Sequence, residues 1–163
     1  MKNRCRIILF ISLSLLGLTV GLGQPVSAAP ERKAILSKVK GTVEMKKNQN
    51  AWQKAKVGSI LHEMDELRTQ KGGYAEMLLD DGGSTGNLEV KENTHLRLST
   101  MNWLNQTDEK KTMIDVAAGK VKVYASQLKG ASKFEVNTPT AVLGIRGTVF
   151  EVHVVQEKKE SKE

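Results

Sequence analysis

Short apolar runs alternate with turn signals along most of the chain, and past residue 30 no stretch keeps a 3.6-residue period for three turns. In KVKGTVEMKK, Val39, Val43 and Met45 share one parity while Lys40, Thr42 and Glu44 take the other, which predicts one strand with a buried face. KNQN is a polar turn, two short runs flank Gly58, and KGGY is another turn. Ala75, Met77 and Leu79 alternate up to DDGGSTGN, and Leu88, Val90, Leu96 and Leu98 continue on either side of Glu92-Asn93. STMNWLNQTDEKK reads as the least ordered stretch, an apolar tip followed by a charged turn. Ile114 and Val116, then Val121, Val123 and Ala125, alternate around Gly119, and Phe134 and Val136 precede Pro139. In VFEVHVV, Phe150, Val152 and Val154 point inward, with Glu151 and His153 outward. The pattern predicts roughly ten short strands in an antiparallel all-β domain, sandwich-like or coiled, with helix only as a turn near residues 126–130.

The amino terminus follows a different rule. Lys2, Arg4 and Arg6 precede an uncharged run over residues 7–30, whose apolar heart, 7–18, has the length of a signal-peptide core. Gly21, Gly23 and Pro25 then interrupt any helix, and Val26-Ser27-Ala28 has the small-residue pattern of a cleavage site. Cleavage after Ala28 and export are the expectation, and an uncleaved membrane anchor is the competing reading. Cys5 lies ahead of the apolar heart, out of place for a lipid-modified cysteine. The organisation expected is a signal peptide at 1–28, a short leader at 29–34, a β domain at 35–155 and a charged tail at 156–163.

Composition narrows the chemistry. The formal charge of +7 falls to +4 once Lys2, Arg4 and Arg6 are removed, and aromatic residues are only 4 % of the 163. A mild basic excess with few aromatics, in an exported chain, argues against nucleic acid as a partner. The single cysteine and the scattered His62, His95 and His153 argue against a disulfide framework and a structural metal, so neither cofactor nor metal is expected.

The motifs have plain readings beside the chemical ones. Gly82-Gly83-Ser84-Thr85-Gly86 matches G-x-S-x-G, but a nucleophile elbow needs a helix after the turn, and NLEVKE reads as a strand. A glycine-rich hairpin turn outweighs a hydrolase using Ser84. Asp80-Asp81 could be a carboxylate pair or calcium ligands, yet adjacent strand residues point to opposite faces, which favours a turn. His153 reads as a surface residue. Gly144-Ile145-Arg146-Gly147 has the G-x-x-G form of RNA-clamping loops, but sits between β-type runs and reads as a bend. Arg146, held between two glycines, is placed to brace a turn carbonyl or carboxylate. Its other role would be to bind an acidic ligand or partner.

Read in order, the turns form a series. Gly41-Thr42-Val43, Trp52 and Gly58-Ser59-Ile60-Leu61 lead to Asp65-Glu66-Leu67-Arg68-Thr69. Leu79-Asp80-Asp81-Gly82, Asn93-Thr94-His95-Leu96-Arg97-Leu98 and Gly119-Lys120-Val121 follow. The series closes with Phe134-Glu135-Val136-Asn137-Thr138-Pro139-Thr140-Ala141-Val142 and Ile145-Arg146-Gly147-Thr148-Val149-Phe150. It resembles the FecR domain family over about residues 35–155, the last block being the most specific. Met64 stands where the family has glycine, Ile145 where valine is common, and GSTGN delays the strand after Asp81-Gly82.

The resemblance implies an all-β periplasmic domain without catalytic residues. In the family's best-known members it follows a cytoplasmic anti-sigma region and a membrane helix, and receives a signal from an outer-membrane transporter. Only six residues precede the apolar run here, so the resemblance is to the stand-alone exported form, whose expected role is binding and signal sensing. Arg146, Asp65 and Asp81 are the candidate structural or partner-binding residues.

The expected partner is an envelope protein segment or polymer, taken up by strand addition at a sheet edge. The outward Lys38, Lys40, Lys120 and Lys122 would favour an acidic one, or simply keep an edge from aggregating. The rival readings are the Ser84 hydrolase and a purely structural envelope module, an oligomer among its forms.

Overall fold

A computed structural model describes residues 30–48, 50–104 and 108–155. The expected signal peptide and the charged tail lie outside them.

The chain enters the fold with β1 (Ala34–Lys40) and turns into β2 (Val43–Lys46). Two-residue strands β3 (Gln53–Lys54) and β4 (Ile60–Leu61) follow, then β5 (Glu66–Thr69) and β6 (Tyr74–Leu79). A 3-10 turn at Asp81–Gly83 leads to β7 (Gly86–Val90), and a long hairpin joins β8 (His95–Leu104) to β9 (Glu109–Ala125). The chain closes with β10 (Lys133–Asn137), β11 (Val142–Ile145) and β12 (Val149–Val154). The architecture is all-β, as the alternation predicts, with twelve strands among the described residues instead of ten.

The strands form two hydrogen-bonded halves that share β9. The amino-terminal part of β9 pairs with β8 and β10, while its carboxy-terminal part pairs with β7 and β12. One half runs β4-β1-β6-β7-β9-β12, and the other β3-β2-β5-β8-β9-β10-β11. The pairing is antiparallel except between β9 and β10, which run parallel. Alternation specifies which face of a strand is buried but not which way its neighbour runs, so this exception is invisible in the pattern. A single core draws on both halves: Leu36, Met77, Leu79, Leu88 and Val123 come from one, and Leu67, Leu96, Leu98, Ile114 and Phe134 from the other.

Three expectations need correction. The strand read through KVKGTVEMKK is two strands at a corner, because Gly41 has φ +64 and packs so closely on Gly72 that a Cβ would lie 2.5 Å from its carbonyl oxygen. STMNWLNQTDEKK, read as the least ordered stretch, instead forms the arms of the β8–β9 hairpin, whose tip (105–107) lies outside the described residues. A register shift between Leu98 and Thr100 moves the buried set from Leu96 and Leu98 to Met101, and that change of parity conceals the strand. The anticipated helical turn at 126–130 is irregular, and the described helical turn is at Asp81–Gly83 instead.

The crossing of β9 between halves falls at Gly119, with φ +92. A Cβ there would sit 2.4 Å from both the Cα and the Oγ1 of Thr94. That hydroxyl accepts from the Lys120 amide at 3.0 Å and lies 3.2 Å from the Lys120 carbonyl, fastening the start of β8 to the crossing. Residues 30–155 carry every described strand and the whole described core, and a chain beginning at Ala29 contains all of them. In that chain Gly119→Ala should lose about 2–4 kcal/mol of stability from overpacking and backbone strain. Gly58→Ala, where a Cβ meets nothing within 4 Å, should lose distinctly less. Equal losses in urea denaturation would remove the close approach as the cause.

Candidate functional site

The most buried cation among the described residues lies in the stretch expected to be a leader. Arg32, three per cent exposed, places its guanidinium between β6, β8 and β9. Its Nε donates to Asp80 Oδ1 at 3.0 Å and its Nη2 to Asp80 Oδ2 at 2.9 Å, a two-pronged pair. Nη2 also donates to Thr112 Oγ1 at 2.8 Å, and Nη1 to the carbonyls of Asn102 and Lys111 at 3.1 and 2.8 Å. Thr85 donates its hydroxyl proton to Asp80, and Lys110 Nζ stands 3.3 Å from the same carboxylate. Trp103 flanks the cluster and donates from its indole to the Pro30 carbonyl at 2.7 Å.

Burial alone would raise the Asp80 pKa, but the hydrogen bonds from Arg32 and Thr85 outweigh it and hold the carboxyl below its usual value. Asp80 has φ 62 and ψ −178, backbone territory normally left to glycine, and its fixed carboxylate maintains that conformation. The donors of Arg32 and the carboxylate of Asp80 are satisfied within the cluster, so it is a structural clamp. Sequence reasoning missed Arg32 entirely, since one Arg in a short polar stretch carries no periodic signal. Asp80 was visible only as a turn residue.

The structure separates the three candidate residues. Asp65 is two per cent exposed, and its carboxylate accepts from the backbone amides of His62 at 2.9 Å and Asn48 at 3.0 Å. It closes two turns at once and offers nothing to a partner. Asp81 points into solvent, its nearest cation Lys33 being 3.5 Å away. Ser84 lies on the exposed turn with Lys110 Nζ 3.3 Å from its hydroxyl, and a strand follows it, so the elbow a hydrolase requires is missing. His95 is turned to Glu66 at 2.8 Å, and His153 is exposed. Among the described residues no three His, Cys, Asp or Glu side chains are placed to hold a metal ion.

The expected cationic face is a mosaic. The registers place Lys38, Glu76, Glu89, Lys122 and Glu151 in one row across five strands. Lys38 pairs with Glu76 at 2.9 Å, and Lys120 with Glu151 at 3.5 Å. Hydrogen bonds from Lys91 and Tyr124 hold Glu89 below the usual carboxylate value, and those from Tyr74 and Lys38 do the same for Glu76, so both stay charged beside the lysines.

Arg146 corrects the bracing expectation. It is exposed and makes no hydrogen bond or ion pair among the described residues, so no described carbonyl or carboxylate is braced by it. It rims a shallow groove of about 330 Å3 lined by Lys133, Phe134, Glu135, Gly144 and Ile145. The groove follows β11, which among the described residues pairs with β10 alone. The Thr138 amide donates to the Ala141 carbonyl at 2.8 Å at the hairpin turn, so alternation leaves the polar groups of Val142, Gly144 and Arg146 facing away from β10. Val142 is 70 % exposed and Leu143 is 38 % exposed on this open strand.

The FecR protein family model matches residues 65–162, more than half of the chain. This chain belongs to the FecR family. The family is one of regulatory and signalling proteins. Comparison with curated proteins and with solved structures gives no significant match. The match takes in Asp80, Thr85, Thr112 and the β11 edge, whereas Arg32 precedes it. Met64, the departure from the FecR glycine, has φ +70 and donates its amide to the Leu98 carbonyl at 2.6 Å, so the backbone keeps a glycine-like turn despite the side chain.

Removing Arg32 from this FecR protein should be severe, because it leaves a buried carboxylate with only Thr85 and the partly buried Lys110 to offset it. Arg32→Met should cost about 3–5 kcal/mol at pH 7. The Arg32→Met/Asp80→Asn double variant should recover much of that loss, since no charge remains buried alone. Asp80 has a depressed folded pKa, so its contribution is complete above its unfolded pKa of about 4 and is lost as pH falls through the folded value. The gap between wild type and double variant in denaturant titrations should therefore narrow from pH 6 to pH 2.5. A gap that is unchanged or widens would contradict the charged pair.

Proposed function

We propose that this chain is a non-enzymatic FecR sensing domain, exported and cleaved after Ala28, that takes up an extended segment of an envelope protein along β11. The open edge of β11 carries this reading. An added strand would gain main-chain hydrogen bonds from Val142 and Gly144, apolar contact with Val142 and Leu143, and a positive anchor in the unpartnered Arg146. An acidic protein segment fits better than an anionic polymer, because the lysines of the broad sheet face are interleaved with Glu76, Glu89 and Glu151. Family membership supports the signalling role in general, and the charged start with Val26-Ser27-Ala28 supports export.

Protein recovered from the cell envelope should have an intact mass beginning at Ala29. The chain from Ala29 should capture a partner from envelope extract, and Arg146→Glu should weaken capture at least tenfold with an unchanged melting temperature. Gly144→Pro should abolish it, because proline removes an outward amide and leaves the bonds of Leu143 and Ile145 to β10 in place. Equal capture by all three chains would refute the β11 site.

A further inference from the structure

β12 is the longest strand with an open edge among the described residues. It pairs with β9 alone, in unbroken register from Val149↔Tyr124 to Val154↔Gly119. The Ala125 amide donates to the Thr148 carbonyl at 3.2 Å, which fixes the alternation. Phe150, Val152 and Val154 bond to β9, while the polar groups of Val149, Glu151, His153 and Val155 point outward. Among the described residues this edge contains no proline, lysine or bulge, and Glu151 is its one charged carboxylate.

The edge is complementary to itself. About Val152, the sequence VFEVHVV places valine opposite valine (149 and 155), Phe150 opposite Val154 and Glu151 opposite His153. We propose that two copies of this chain pair through β12, antiparallel about a twofold axis at Val152, continuing the sheet from one copy into the other.

Only this register suits every position. There Val149 meets Val155, both of which are 58 % or more exposed in the single chain. Glu151 meets His153, whose ring can donate to the carboxylate whether neutral or protonated. A shift one way sets Glu151 against Glu151, and the other way sets His153 against His153. The outward groups match as well, since 149, 151, 153 and 155 all present unpaired amides and carbonyls. On the inner face, Phe150 and Val154 pack on the core but remain partly exposed at its margin, where the second copy's Val154 and Phe150 would cover them. Such a patch is isologous, as a closed dimer requires. Seven residues of edge pairing bury less than the ~1,200 Å2 of a standard interface, so the dimer should be weak, with a micromolar dissociation constant.

This inference is independent of the β11 reading, which concerns a different edge. The chain from Ala29 contains no cysteine, so introduced thiols report on geometry directly. A mixture of Glu151→Cys and His153→Cys chains should form a disulfide-linked heterodimer under mild oxidation, whereas each variant alone should cross-link at least tenfold less. Sedimentation of the parent should show dimer forming between 1 and 300 µM, on the order expected of so small an interface. His153→Pro removes an outward amide, leaves the β9 ladder intact and should be monomeric throughout with its strand circular dichroism retained. A parent monomeric over that range, a dimeric folded His153→Pro, or cross-linking of a single variant as strong as that of the mixture would overturn the proposal.

Discussion

The fold depends on one strand serving two sheets. β9 is 17 residues long, about three times an average strand, and both halves of the domain hydrogen-bond to it. A strand of that length twists, so its two ends face different directions and carry their neighbours with them. The change of partners must occur where the backbone can bend and where the incoming β8 can approach without a side chain between them. Gly119 satisfies both conditions, and the Thr94 hydroxyl, bonded to the backbone of Lys120, sets the height at which β8 starts. The sequence Asn93-Thr94 and the lone Gly119, distant along the chain, are thus two sides of one joint.

A second fastening secures the far end of the same strand. Arg32 reaches the carbonyl of Lys111, the hydroxyl of Thr112 and the carboxylate of Asp80, so the segment entering β1 is tied to β9 and to the end of β6 by a single side chain. A buried pair of this kind adds little net stability compared with apolar residues, but it strongly disfavours any arrangement that leaves one charge without the other. That suits a curled sheet, whose entering segment could otherwise pack in several registers against a uniformly aliphatic core.

The buried faces of most strands were legible in the sequence because alternation reports burial directly. Met77 and Leu79, Val121 and Val123, and Phe134 and Val136 are all buried as the pattern requires. Alternation fails where a bulge changes parity, which is why the chain after Leu98 reads as the least ordered stretch, and it carries no information about strand direction, which concealed the parallel β9–β10 pair. The terminal block Phe134–Phe150 was legible as a family pattern, yet the role expected of Arg146 was not, since whether an arginine between glycines folds inward or outward depends on what lies beneath it. Phe134 and Ile145 occupy that space, and no buried carboxylate remains there to receive a guanidinium. The buried carboxylate that does receive one, Asp80, finds it 48 residues earlier in the chain.

The same parity rules determine what the domain offers to others. Sharing β9 between halves leaves its sheets with different terminal strands, β12 on one side and β11 on the other. Two open edges arise because β11 pairs with β10 in one half while β12 pairs with β9 in the other, so neither strand covers its neighbour in sequence. Soluble domains normally shield such edges with short strands, as β3 and β4 do here with two residues each. β11 and β12 are longer, carry exposed valines and lie within the segment that defines the family. The core does not require that combination, since the exposed positions of both edges face away from it. An edge left unprotected beside a well-filled core is consistent with the pairing proposed for β11 and β12.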